Sequence, residues 1–371
     1  MNVDVLSRPA ASRPAASRLA IADGDIHPAR KKPSDIYPYL EKRWQTHLET
    51  FGLRFRHGFQ YGPAYPKGQP LACRRDATPP GGGKPGCDLD FLRAQLLDAH
   101  NVQLGILNPL SPSGQGFQDT EFSIAFCRAV NDWQVAEWTS REPRLKASVV
   151  VPYEDGPAAA AEIDRRAGDK NFAQVLLLSR TAEPLGNRRY WPIYEAAVRA
   201  GLPVGVHAFG YGGSAISAGG WPSFYIEEMN GHAQCSQALL TSMVIEGVFE
   251  RFPDLRLVLI ESGFAWLPPL AWRLDKHFLR LRAETPHLRR LPSEYIRDQV
   301  WLTTQPVEEP TTRSQLLDSI EWIGWDRLIF ATDYPHWDFD DPAHVLPLPI
   351  PEARRRAFFF DNAAALYGMA G

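Results

Sequence analysis

Residues 257–263 read LVLIESG. Four consecutive apolar residues, Leu257 to Ile260, read as a strand buried on both faces. Glu261 follows directly, and a carboxylate leaving an apolar run must be paired, hydrated or bound to a cation, because desolvating it alone is too costly. Working outward, runs of the same kind recur at 19–26 (LAIADGDI), 102–108 (VQLGILN), 145–151, 172–178, 202–208, 255–261, 299–304 and 326–332. Helix-like segments lie between most of them, at 89–100, 119–139, 157–168, 190–201, 232–251, 266–283 and 308–321, with a last one near 352–368. Strands alternating with helices argue for βα units. Eight such units predict an α/β fold of the (β/α)8 TIM-barrel type.

Composition agrees with this reading. The chain has 371 residues, 44% hydrophobic and 22% charged, with a formal net charge of -3. That is ordinary globular composition, and a barrel of this length with an insertion runs as one domain. No basic face stands out, so nucleic acid is not an expected partner. No apolar run approaches the roughly 18 residues of a membrane span. The four cysteines are scattered without zinc-finger or disulfide-framework spacing, and no apolar leader opens the sequence, so a cytoplasmic location is expected. Residues 1–18, with SRPAA twice, read as a disordered tail, and 19–371 as the single barrel domain. Residues 28–88, rich in Pro, Gly and aromatics, are too long for an ordinary loop and read as a capping insertion after strand 1. Trp44, Phe51, Phe55, Phe59, Tyr61 and Tyr65 within it need apolar company.

Barrel enzymes carry their chemistry at the C-terminal ends of the strands. Here those ends supply Asp25 and His27 (strand 1), His207 (strand 5), Glu261 (strand 6) and Asp333 (strand 8). Asp25 and His27 are two apart, so on a strand both face the barrel mouth while Ile26 faces away. Taken singly, each has a plain reading: a hydrogen-bonded core histidine, a turn-capping aspartate, a glutamate paired with an arginine. Imidazoles and carboxylates converging from four strands read instead as a divalent metal site or a general acid–base cluster.

At these residues the chain resembles the amidohydrolase superfamily, in the branch of aminocarboxymuconate-semialdehyde decarboxylase and the aromatic-acid decarboxylases. The motifs are DGDIHP (23–28), GVHAFG (205–210), EGVFERFPDLRLVLIESG (246–263) and IFATDYPH (329–336). The resemblance implies that Asp25, His27, His207 and Asp333 hold one metal. Glu261 stands where better-known members have a histidine that assists the chemistry. It becomes a fifth ligand, a ligand to a second metal, or a base acting on a metal-bound water. Three carboxylates and two imidazoles form a harder donor set than a His-rich zinc site, which favours manganese or iron while keeping zinc in play. A homodimer is in keeping with the resemblance.

The expected function is hydrolysis of a small carbonyl-containing substrate by a metal-activated water, with Asp333 moving protons and Glu261 assisting. The alternative is non-oxidative decarboxylation of an aromatic or enoic acid, and a third reading is oxygen activation at a di-iron centre. His232, placed at the start of the helix before strand 6, is a further catalytic candidate. Arg180, Trp221, Tyr225 and His336 are candidates for binding the substrate.

Overall fold

The computed structural model describes residues 18–53, 70–110, 113–208, 215–217, 219–346 and 348–369. The expected disordered tail, apart from Arg18, and the aromatics Phe55, Phe59, Tyr61 and Tyr65 lie outside the described residues.

The eight strands are β1 (Ile21–Ile26), β2 (Val102–Leu107), β3 (Leu145–Val150), β4 (Phe172–Leu178), β5 (Val204–His207), β6 (Leu257–Ile260), β7 (Val300–Thr303) and β8 (Leu328–Ile329). They pair in parallel in sequence order. The seam between β8 and β1 is drawn together by Gly24 N–H donating to Phe330 O (2.8 Å) and His27 N–H donating to Tyr334 O (2.8 Å). A Cβ at residue 24 would lie 2.9 Å from Ile329 Cγ2 and 3.3 Å from Phe330 O, so the close approach requires glycine there. Buried Asp23 adds a second tie across the seam, accepting from Thr332 N–H (2.9 Å) and Thr332 Oγ1 (2.5 Å).

The outer helices begin where acidic caps precede apolar periodicity. Asp119 accepts from Phe122 N–H at the head of Thr120–Gln134, and Asp155 from Ala158 N–H at the head of Gly156–Arg166. Alternate strand residues Leu104, Ile106, Leu176, Val258, Ile260 and Ile329 form an apolar cluster with Ala363, Leu366 and Tyr367 of the C-terminal helical segment. No helix among the described residues is long and apolar enough to cross a membrane.

Three boundaries differ from the sequence reading in ways that matter for the site. Glu261 is the first residue after β6, with φ of 55°, and Asp333 lies four residues past the short β8 with φ of 61°. The helix expected to start at 232 starts at Tyr225, because Glu227 accepts from Ser223 N–H (2.8 Å) and Phe224 N–H (2.6 Å) and closes the helix head earlier. His232 is therefore two turns inside that helix.

The insertion after β1 has structure in its described parts, a 3-10 turn over Pro33–Tyr39 and a helix over Lys42–Phe51. Trp44 is buried against Phe122, with ring centroids 5.1 Å apart, whereas Phe51 is exposed. Its last part is stitched to the strand-end loops. Trp337 N–H donates to Ala72 O (2.9 Å), Arg74 N–H to Pro335 O (2.9 Å), and Ala29 N–H to Gly86 O (2.8 Å).

Candidate metal centre

The period-2 geometry of β1 delivers Asp25 and His27 to the same place, as their spacing requires. His27 Nε2 lies 3.2 Å from Asp25 Oδ1 and 2.8 Å from Asp333 Oδ1. His207, the last residue of β5, brings Nε2 to 2.9 Å from Glu261 Oε2 and 3.4 Å from Asp25 Oδ2. One ligand atom from each of Asp25, His27, His207 and Glu261 lies within 4.8 Å of all the others, and His27, Glu261, Asp333 and His336 form a second, overlapping group. The positive φ of Glu261 and Asp333, uncommon for residues with a side chain, turns each carboxylate off its strand line toward this centre.

The five strand-end residues are all buried. Burial opposes the charge on His27 and His207, but Asp25 beside both, with Asp333 and Glu261, outweighs it and pushes each imidazole up to about 10. Burial likewise opposes ionisation of Glu261 and Asp25, and the adjacent imidazoles overcome it, holding both carboxyls below their ordinary range. Asp333 goes the other way. Burial, reinforced by the charge on Glu261, raises it well above its ordinary range despite its contact with His27. His336, with Nδ1 2.6 Å from Asp333 Oδ1, is pushed down to about 3 by burial and by the neighbouring His27.

The donor set fits a divalent cation. His207 Nδ1 and Nε2 and Asp25 Oδ2 are buried without a hydrogen-bond partner, although carboxylate oxygens lie near His207 Nε2. Buried polar atoms are rarely left so. A cation among them would satisfy both His207 Nε2 and Asp25 Oδ2.

Three members of the cluster, His27, Glu261 and His336, line a cavity of about 370 Å³, in the range of small-molecule sites, and Asp25, His207 and Asp333 lie beneath them outside its lining. Its walls are mainly apolar and include Leu71, Leu110, Tyr225, Met229 and Trp337, while His232, His336, Asp338, Glu228 and Lys84 bring polar groups. Tyr225 accepts a hydrogen bond from Trp337 Nε1 (3.2 Å). His232 Nδ1 comes to 3.5 Å from Glu261 Oε1, so the helix and the strand end meet although His232 does not begin the helix. Arg180 and Trp221 are not among the lining residues. Arg180 is buried, with Cys235 and Glu228 among the groups acting on its charge, and Trp221 is exposed.

Three polar residues were invisible to strand-end reasoning. Asn108, just past β2, donates from Nδ2 to Asp25 Oδ1 (2.8 Å) and accepts at its backbone oxygen from His27 Nδ1 (2.7 Å). Gln305, just past β7, donates to Asp333 Oδ2 (3.2 Å) and Asp338 Oδ2 (3.0 Å). Asp338 itself is raised to about 6 by burial and by the charge on Glu261. Asn108 and Gln305 do lie at strand ends, but an amide there carries no metal signature.

The Amidohydrolase family profile matches residues 22–369, and the chain belongs to that family. Gamma-resorcylate decarboxylase of Polaromonas sp. (strain JS666) is 27% identical over 299 residues, covering 76% of this chain and 87% of that protein. The enzyme of the same name from Rhodococcus jostii (strain RHA1) is 26% identical over 302 residues, covering 76% and 88%. Among solved structures, 5-carboxyvanillate decarboxylase from Novosphingobium aromaticivorans, complexed with manganese and 4-hydroxy-3-methoxy-5-nitrobenzoic acid, superposes with a TM-score of 0.71 at 20% identity, covering 95% and 96%. These relatives correct the expectation of hydrolysis, because they are carboxy-lyases. The strand-end residues alone do not separate the two reactions, because an ion held by Asp25, His27, His207 and Glu261 would polarise a substrate carboxylate as readily as a water.

Proposed function

We propose that this protein is a metal-dependent, non-oxidative decarboxylase of a hydroxylated aromatic carboxylic acid. The observation that carries this reading is an imidazole–carboxylate cluster that meets an apolar-walled cavity through His27, Glu261 and His336, in a chain whose curated relatives include gamma-resorcylate decarboxylases.

Asp25, His27, His207 and Glu261 would hold one divalent ion, with Asp333 at its edge, and their carboxylate share favours manganese. Once bound, such an ion supplies Lewis acidity toward the substrate carboxylate and a neighbouring phenolic oxygen. The chain's own residues do the rest. Leu71, Leu110, Met229 and Trp337 take the ring and exclude water. Asp333 delivers a proton to the ring carbon as the bond to the carboxyl breaks, so that the acid anion and one proton become the arene and carbon dioxide. His336 Nδ1 and Gln305 Nε2 hold the Asp333 carboxyl from two sides. His336, depressed to about 3, stays neutral and does not compete as a proton donor.

The test is carbon dioxide release from a panel of ortho-hydroxybenzoic acids, using enzyme stripped by chelator and reloaded with manganese. Manganese-dependent release with formation of the matching phenol is expected. Absence of release across the panel, with metal bound, would overturn the reading.

A further inference from the structure

The interior of a (β/α)8 barrel is ordinarily filled by branched apolar side chains. Here four adjacent strands carry a polar ladder through it instead. Asn108 Nδ2 donates to Asp25 Oδ1 (2.8 Å) and to Gly24 O (3.2 Å). Asn108 Oδ1 accepts from Ser148 Oγ (2.7 Å) and Gln174 Nε2 (3.0 Å). Gln174 Nε2 also donates to Ser148 Oγ (3.1 Å), and Gln174 Oε1 accepts from Tyr367 Oη (3.2 Å). Asp25, Asn108, Ser148 and Gln174 are all fully buried. A Cβ on residue 205 of β5 would lie 2.8 Å from Gln174 Oε1, so Gly205 leaves the room that the ladder needs. Polar groups this deep are tolerated only when each is satisfied, and they then define one arrangement sharply.

We propose that Asn108 is a positioning residue for the metal centre, its side-chain amide choosing which oxygen of Asp25 faces the cation, while its backbone carbonyl, which any residue there would supply, fixes which nitrogen of His27 does. The proposal rests on the metal-binding reading given above. A backbone carbonyl only accepts, so the 2.7 Å contact to Asn108 O places a proton on His27 Nδ1 and leaves Nε2, the nitrogen facing Asp25 and Asp333, as the ligating atom. The Asn108 amide occupies Asp25 Oδ1, and Asp25 Oδ2 is the oxygen without a hydrogen-bond partner, on the His207 side. The amide cannot turn over. Its NH2 would then meet the Gln174 NH2, and its oxygen would meet the Asp25 carboxylate. Ser148, Gln174 and Tyr367 thus hold Asn108, and Asn108 holds two ligands from one strand.

Manganese affinity of the full chain, read as free Mn2+ by electron paramagnetic resonance, tests this apart from catalysis. Asn108→Ala is expected to weaken binding about 10- to 100-fold, the usual effect of removing a group that orients metal ligands. Ser148→Ala, which deletes one of two donors to Asn108 Oδ1, is expected to weaken it about 3- to 10-fold. Melting of the chelated variants separates a merely structural role, which would lower thermal stability and leave manganese affinity in place. Folded Asn108→Ala with wild-type affinity overturns the proposal. If Asn108→Ala does not fold, wild-type affinity in Ser148→Ala overturns it. Wild-type protein that binds no manganese refutes the metal reading itself, before any variant is compared.

Discussion

Replacing Glu261 by Gln keeps the shape of the side chain and removes one buried negative charge. In the protein as described, that charge faces His207 Nε2 at 2.9 Å and His232 Nδ1 at 3.5 Å. At an effective dielectric of about 20, unit charges at the 2.9 Å separation from His207 attract by about 6 kcal/mol before desolvation is counted. Much of this offsets the burial of the ions, and breaking one side of a buried pair is observed to cost about 3–5 kcal/mol. We expect metal-free Glu261→Gln to lose about 3 kcal/mol of unfolding free energy in urea at pH 7. The sign is settled by linkage. The Glu261 carboxyl is held below its unfolded range, so its contribution is fully present above that range and is lost as pH falls through the folded value. The same substitution removes an anionic donor from the cluster, and manganese affinity should fall about 100-fold or more, roughly 2.7 kcal/mol. Calorimetric titration with manganese and urea unfolding of chelated protein check the two numbers separately. Unchanged manganese affinity together with reduced stability would refute a ligand role for Glu261, and no change in either would refute the electrostatic account of the site.

Other consequences are equally measurable. Gly24→Ala forces a methyl against Ile329 and Phe330 O at the β1–β8 seam, and should destabilise the protein by about 1–3 kcal/mol in denaturant titration. Away from the site, Arg144 and Arg93 outweigh burial and hold Glu142 down to about 2. Its stabilisation, about 1–2 kcal/mol after allowance for the partly exposed arginines, is therefore present above about pH 4.5 and fades as pH falls toward 2. The stability gap between wild type and Glu142→Gln should narrow between pH 5 and pH 3, measured by urea midpoints at each pH. Lys84 is the one lysine or arginine among the described residues lining the cavity, on an apolar wall. Lys84→Met should raise KM several-fold for aromatic acids bearing a second anionic group while leaving kcat nearly unchanged, and steady-state kinetics on paired mono- and dicarboxylic substrates will show whether it does.

The barrel was legible because its physics is local. Apolar runs such as LVLI and FAQVLLL, set between helical segments, suit strands covered on both faces of a parallel sheet, and all eight expected strands are found, shortened by zero to five residues. Asp25 and His27 were legible as a pair because a two-residue spacing on a strand fixes a common side whatever the rest of the chain does. Tyr225 and His336 do line the cavity, whereas Arg180 and Trp221 do not. Arg180 follows a strand end just as the ligands do, and sequence position alone could not say that its side chain is buried outside the cavity lining.

What the sequence by itself determined is therefore the architecture and the set of strand ends that carry ionisable groups. Tertiary structure decided which atoms meet. The left-handed backbone at Glu261 and Asp333 aims two carboxylates inward, and the early start of the helix at Tyr225 sets His232 against Glu261 from two turns inside. Asn108, an unremarkable amide in the sequence, touches two ligands from the neighbouring strand. Periodicity is a property of a few successive residues, whereas proton placement, burial and charge balance are set by neighbours far along the chain, 306 positions apart for His27 and Asp333. That is why the strand-end acid Glu261 could be recognised as unusual from LVLIESG alone, while its pairing with His207 appeared only in the folded chain.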